Sequence, residues 1–139
     1  MKLINGRGQL GEALSQYEGY PDIELYHTWN FLDKSATTQS GEVEKLREYL
    51  KNNYKKIIFI STTTKQDSSY LRCKREAEEL VLAHSNNNLV IRFSVIIGRG
   101  VFSGLRDKKL QPFGIINYIS LKEAREYVLN SAERTGIIE

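Results

Sequence analysis

Several residue types are too scarce in this sequence to support the functions they usually signal. A single cysteine, Cys73, excludes an internal disulfide framework and cannot alone build a cysteine-based metal site. The two histidines, His27 and His84, stand apart from other ligand-type residues, so no metal site is expected. With two prolines, no Gly-rich or low-complexity tract and no internal repeat, nothing marks a linker, and one compact domain over residues 1–139 is expected. No apolar run approaches membrane-spanning length and the opening MKLINGRG has no signal-peptide architecture, which predicts a cytoplasmic protein with no membrane partner. Charge of one sign is not gathered anywhere. Lys and Arg number 20 against 17 Asp and Glu, for a net charge of +3, and the basic residues are scattered among acids. That argues for no nucleic-acid partner and suits a phosphorylated small molecule or a nucleotide cofactor equally well.

Apolar residues at 40% and charged residues at 27% are ordinary for a soluble globular chain. The organising stretch is residues 55–80, KKIIFISTTTKQDSSYLRCKREAEEL. Ile57, Ile58, Phe59 and Ile60 form an unbroken apolar run that suits a strand covered on both faces in a parallel sheet. Ser61, Thr62, Thr63 and Thr64 fall at its C-terminal end, the edge where open α/β sheets bind ligands. From Ser69 onward, Cys73, Ala77, Leu80 and Val81 repeat at helical spacing. Tyr70 and Lys74, four apart, share a helix face beside that stripe. An ammonium next to a phenol favours the phenolate, which would bring Tyr70 toward proton transfer near neutrality. An isolated Y-x-x-x-K is more often only a surface pair.

Lys2 to Ile4 reads as a first strand, and Gly6-Arg7-Gly8-Gln9-Leu10-Gly11 follows it at once as G-x-G-x-x-G. Leu10, Ala13, Leu14 and Tyr17 then recur at helical spacing, with Gly19 as a stop. Glycines between a strand and a helix let bare backbone and helix N–H groups meet a pyrophosphate, although a tight turn needing glycine explains them too. Ile23 to Tyr26 is a second strand, with Glu24 inside it and Asp33 well beyond it, so neither acid sits where a dinucleotide site places its ribose ligand. His27 and Trp29 stand at that strand's end, as packing residues or pocket lining. Val43, Leu46 and Leu50 mark a helix, Leu89 to Phe93 a strand that runs on through Val95, Ile96 and Ile97 to Gly98-Arg99-Gly100. Residues 101–112 read as a surface loop carrying Arg106, Lys108 and Lys109. Ile115 to Ile119 reads as a last strand, and Ser120-Leu121-Lys122-Glu123 as a capping box for a helix stopped by Gly136. The alternation predicts an α/β fold, a small three-layer sandwich with a mainly parallel sheet.

Taken together, these segments resemble the extended short-chain dehydrogenase/reductase family of NAD-dependent sugar-nucleotide epimerases, dehydratases and reductases, and within it the dTDP-4-dehydrorhamnose reductase type. The likeness lies in GQLG at Gly8 to Gly11, PDIELYHTWNFLDKSA over residues 21–36, IFISTTT, YLRCKREAEEL, LVIRFSVIIGRG and INYISLKEAREYVLNSAERTG, in the family's order. It implies a Rossmann-like sandwich that binds NAD or NADP at Gly6, Arg7, Gly8, Gln9, Leu10 and Gly11. It also implies Thr62 as the catalytic hydroxyl, Tyr70 as acid/base, Lys74 as activator and cofactor-ribose ligand, and Glu78 at a usual downstream position. The substrate implied is a nucleotide-linked sugar, and the partner a second copy of the chain, packed through the helices flanking the site. The same likeness exposes departures. If residues 21–36 correspond to the family's fourth strand, its second and third strands are missing along with most of the adenosine pocket. The loop between Thr62 and Tyr70 and the substrate region after Gly100 are also short. The resemblance thus implies either a compact enzyme or a non-catalytic nucleotide-binding or interaction module descended from one.

Overall fold

A computed structural model describes residues 1–4, 9–15, 17–97 and 118–139. Its principal sheet has five strands, β1 (Lys2–Ile4), β2 (Ile23–Tyr26), β3 (Lys56–Thr62), β4 (Leu89–Phe93) and, at the far edge, β7 (Gly136–Ile138), all pairing in parallel in that order. Two short strands, β5 (Val95–Ile97) and β6 (Tyr118–Ser120), make a separate parallel pair. The helices are α1 (Gln9–Ser15), α2 (Ala36–Lys51), α3 (Ser69–His84) and α4 (Leu121–Ser131). Local chemistry starts three of them. The hydroxyls of Ser35, Ser68 and Ser120 accept the backbone N–H groups of Thr38, Leu71 and Glu123 at 3.3, 3.1 and 3.1 Å, which is how an N-cap residue satisfies a donor that the helix leaves free.

Because side chains alternate across a strand, β3 splits its apolar run between two cores. Ile58 and Ile60 join Leu25, Leu89, Ile91 and Phe93 under α1 and α4, with Leu10, Leu14, Ala124 and Val128 closing that layer. Ile57 and Phe59 join Tyr26 and Val90 under α2 and α3, against Leu46, Leu50, Ala77 and Val81. The three layers predicted from the β/α alternation are therefore present, as is the mainly parallel sheet.

One topological feature sets this sheet apart from a doubly wound one. The crossovers from β1 to β2 and from β2 to β3 step the same way across the sheet, yet α1 and α2 lie on opposite faces. Two such crossovers have opposite hands, so one of them departs from the right-handed rule. A doubly wound sheet covers both faces with one hand only by reversing direction, first laying strands on the far side of its first strand. Here the strand order has no reversal, yet helices cover both faces.

Some boundaries differ from expectation. The first helix ends at Ser15, short of Tyr17 and Gly19. The last strand before α4 is Tyr118–Ser120, and the beginning of the expected Ile115–Ile119 segment lies outside the described residues. Gly136 does not stop a helix: α4 ends four residues earlier with Ala132 as its C-cap, and Gly136, at φ 84, opens β7 and donates its N–H to the Asn88 carbonyl at 3.0 Å. A positive φ is cheap only without a Cβ, so the glycine serves a strand entry.

Candidate functional site

All five strands of the sheet are parallel, so their C-terminal ends share one edge, and the loops over 27–35 and 63–68 leave from it. Gly6, Arg7 and Gly8 lie outside the described residues. Gln9, Leu10 and Gly11 form the start of α1, with Leu10 buried in the α1/α4 core.

Lys74 is not the surface partner that an isolated Y-x-x-x-K suggests. Helix α3 turns it inward, where it is 4% exposed, and its ammonium donates to the Ile60 carbonyl at 3.0 Å. Aromatic rings surround that ammonium: Trp29 at 4.4 Å from ring centre to Nζ, Phe59 at 4.9 Å and Tyr70 at 6.0 Å. Burial drives its pKa down to about 7, against the opposing pull of Glu78 and Glu42. The expected activation of Tyr70 does not appear. Burial raises its phenol to about 12, with Arg75 pulling the other way, and the nearest cation to its ring is Lys34 at 5.2 Å. Desolvation of the phenolate outweighs the charge beside it.

Thr62 is on the other side of the sheet from this pair. It pairs in register with Phe93 and, by strand alternation, shares the face of Ile58 and Ile60 under α1 and α4, while its hydroxyl accepts the Thr64 N–H at 3.2 Å. Ser61 is the hydroxyl aimed at α3, donating to Glu78 at 3.1 Å. The Glu78 carboxylate is 2% exposed, and three more contacts hold it: Arg75 at 2.7 Å, and Arg92 through Nε at 2.9 Å and Nη2 at 2.7 Å. Arg75 also grips the carbonyls of Thr62 at 3.0 Å and Thr64 at 3.4 Å, so this cluster fixes the backbone that leaves β3. Arg75 had no sequence signal, since it reads as one more scattered cation, whereas Arg92 stands out as the one charge that interrupts the apolar strand Leu89–Phe93.

The loop after β2 covers Lys74. Trp29 donates its indole N–H to Gln39 Oε1 at 2.7 Å, and Gln39, wholly buried on α2, donates to the carbonyls of Asn30 at 2.7 Å and Asp33 at 2.8 Å. Asp33 is spent locally, accepting from Thr38 Oγ1 at 2.5 Å and the Ser35 N–H at 3.1 Å. Glu24 faces Lys2 at 3.9 Å. Glu24 lies inside β2 with Oε2 buried and without a hydrogen-bond partner, and Asp33 lies beyond the strand, so neither acid stands at the strand edge for a ribose. His27 ends β2 with a buried Nδ1 that has no hydrogen-bond partner, and burial, then the Lys74 charge, lower its pKa to about 4. Among the described residues no cluster of metal-ligating side chains occurs and no helix is long and apolar enough to cross a membrane.

No family model and no curated protein matches the sequence. Solved structures do match the fold. The chain is similar to the Bordetella bronchiseptica enzyme WbmG crystallised in complex with NAD, at 13% identity and a TM-score of 0.59, over 92% of this chain and 52% of that one. It is similar to UDP-N-acetylglucosamine 4-epimerase from Bacillus cereus at 15% identity and a TM-score of 0.55, over 97% of this chain and 66% of that one. The chain therefore has the Rossmann-like α/β fold of these structures in a shortened form, spanning from about half to just under two thirds of their length.

Proposed function

We propose that this chain is a shortened member of the extended short-chain dehydrogenase/reductase group: a nucleotide-binding domain of the NAD(P)-linked sugar-nucleotide kind whose catalytic set is retained but disengaged. The observation that carries the reading is the position of Lys74. In an engaged site its ammonium would face the cofactor ribose and Tyr70. Here it is spent on the Ile60 carbonyl beneath Trp29, while the Tyr70 phenol is held at about 12. With its ammonium covered, Lys74 cannot hold a nicotinamide ribose, so the retained function is nucleotide binding rather than hydride transfer. The shared fold, the strand–glycine–helix order of residues 2–11 and the strand-edge placement of Tyr70 and Thr62 support nucleotide binding at that edge. The ligands that suit it are NAD or NADP and a nucleotide-linked sugar or other phosphorylated small molecule, in a cytoplasmic protein that forms a homodimer.

Calorimetric titration with NAD, NADH, NADP, NADPH and, separately, a nucleoside diphosphate-sugar tests the reading. Binding of at least one at or below roughly 100 μM, about 5.5 kcal/mol, is expected, with no turnover of the bound sugar. If none binds, the nucleotide reading is lost. A second reading, a compact oxidoreductase or epimerase using Thr62, Tyr70 and Lys74, is favoured by Tyr70 and Lys74 meeting on one face of α3 at the strand edge. Turnover that disappears in Tyr70→Phe, with nucleotide affinity kept, would establish it.

A further inference from the structure

The retained amine and its cover raise a separate question, which is whether the cover is a permanent part of the core. Lys74 is enclosed from two directions. Phe59 on β3 and the helix α3 that carries it belong to the packed interior. Trp29 lies at the margin of that interior: its ring packs edge-on against Phe59 at 5.9 Å, yet it is only half-buried, and the loop that follows it, 30–35, is exposed throughout, with Phe31 at 54% and Leu32 at 73% exposure. Two side chains of α2 tie this loop down: buried Gln39 accepts from the Trp29 indole and donates to two of the loop's carbonyls, and Thr38 Oγ1 donates to Asp33 at 2.5 Å. Asn30 and Asp33 stiffen the loop internally. Asn30 Oδ1 accepts the N–H groups of Leu32 at 3.0 Å and Asp33 at 2.9 Å, so the loop can move as a unit rather than fray. Lys34, at its end, rests over the Tyr70 ring at 5.2 Å, so the same movement uncovers both members of the pair.

We infer that residues 29–34 form a strap latched by Gln39, an autoinhibitory cover whose local release, without unfolding of the sheet, opens Lys74 and Tyr70 to a ligand at the strand edge. The proposal deepens the functional reading and rests on it for the ligand, though the movement itself can be measured without one. A ligand that needs the open state binds with its intrinsic affinity reduced by the fraction of molecules that are open. Loosening the latch raises that fraction.

The test is acetylation of lysines in the intact protein by a brief pulse of acetic anhydride at fixed pH, read by peptide mass spectrometry, with exposed Lys65 and Lys122 as internal references. Amide hydrogen exchange of β3 and β4 is measured in parallel. Wild type is compared with Gln39→Met, which removes the latch at near-constant volume, and Trp29→Phe, which keeps a ring over the ammonium but cannot donate to Gln39. Relative to the references, Lys74 should react on the order of tenfold faster in both variants, the effect of losing about 1.4 kcal/mol of latch hydrogen bonding, while exchange in β3 and β4 stays at the wild-type rate. Unchanged Lys74 reactivity overturns the strap. So does a rise in Lys74 reactivity matched by faster exchange throughout β3 and β4, because the route to the amine is then general unfolding. Titration of the same three proteins with NAD, NADP and a nucleoside diphosphate-sugar separates the two proposals: a strap that opens on labelling while no variant binds any of them leaves the movement standing and removes the nucleotide reading.

Discussion

The two faces of the sheet are built on different rules. Under α1 and α4 the sheet presents Leu25, Ile58, Ile60, Leu89, Ile91, Phe93 and their apolar neighbours, with Thr62 at its end and no buried charge among the described residues. Under α2 and α3 the same strands meet buried Gln39, Glu42, Lys74 and Glu78 among the hydrocarbon and aromatic side chains. Burying charge costs free energy that pairing recovers only with good geometry, so a buried ionic layer is weak evidence for stability. Among the described residues one face of this sheet is covered without a buried charge, Ser131 being the polar residue buried on α4, and the other face keeps charges that a core does not need. The polar layer also borders the strand edge at which Tyr70 and Trp29 sit. That difference separates scaffold from site within a fold of a single sheet.

The contrast can be broken by substitution. Leu25→Ala, at a wholly buried position in the apolar layer, should destabilise the protein by about 2–5 kcal/mol in urea unfolding, with no change in Lys74 labelling. In the polar layer, Glu78→Ala strands Arg75 and Arg92 and should cost about 3 kcal/mol, at the low end for a broken buried pair because those side chains keep 31% and 23% of their surface in solvent. Its distinguishing mark is partial recovery in Glu78→Ala/Arg92→Met, where the stranded cation is gone. If the double variant is no better than the single one, Glu78 acts only by packing, and the two faces are more alike than their composition says.

Much of this contrast could be read from the sequence. The β3 run Ile57–Ile60, the strands Ile23–Tyr26 and Leu89–Phe93, each broken by one charge, and the α3 stripe of Cys73, Ala77 and Val81 were legible, because burial on both faces leaves a nearly continuous apolar run and burial on one leaves a helical stripe. The meeting of Tyr70 and Lys74 on α3 was legible for the same reason. Their state was not. Whether an ammonium lowers a phenol's pKa depends on whether water is there as well, and it is Trp29, 45 positions before Lys74, that excludes it. Gln39 gave no signal, since a lone glutamine in a polar helix start looks solvated until its three partners are known. The last strand was missed because Gly136-Ile137-Ile138 is too short to show a period and is held by pairing with β4 instead.

The polar layer should also reveal itself in pH. Lys74 has a pKa of about 7 in the fold against an ordinary 10.5, so between those values the unfolded chain binds the extra proton and stability rises with pH. Tyr26 and Tyr70 are both raised from 10.0 to about 12, so above pH 10 the unfolded chain is the one to lose protons and stability falls. Stability should therefore climb from neutrality to a maximum near pH 10, with a slope no steeper than about 1.4 kcal/mol per pH unit for one proton. Urea midpoints across pH 7–11 measure it. Lys74→Met should flatten the climb and leave the fall. A climb that survives the substitution would place its source elsewhere.

The smallest expected effect is a control on the comparison itself. Ser68 caps α3 on the polar face and Ser120 caps α4 on the apolar face, both from extended backbone and with the same 3.1 Å hydrogen bond to the third residue of the helix. A cap answers only to the helix it starts, so Ser68→Ala and Ser120→Ala should each cost about 1 kcal/mol in urea unfolding, whatever layer lies beneath. The two substitutions should part in one respect. Helix α3 carries Tyr70 in its first turn, so fraying there reaches the site, and Ser68→Ala alone should speed acetylation of Lys74. Equal labelling in the two variants would mean that the first turn of α3 is held by the strap and by Arg75 rather than by its cap, and that the site on this face is more rigid than its exposed loop suggests.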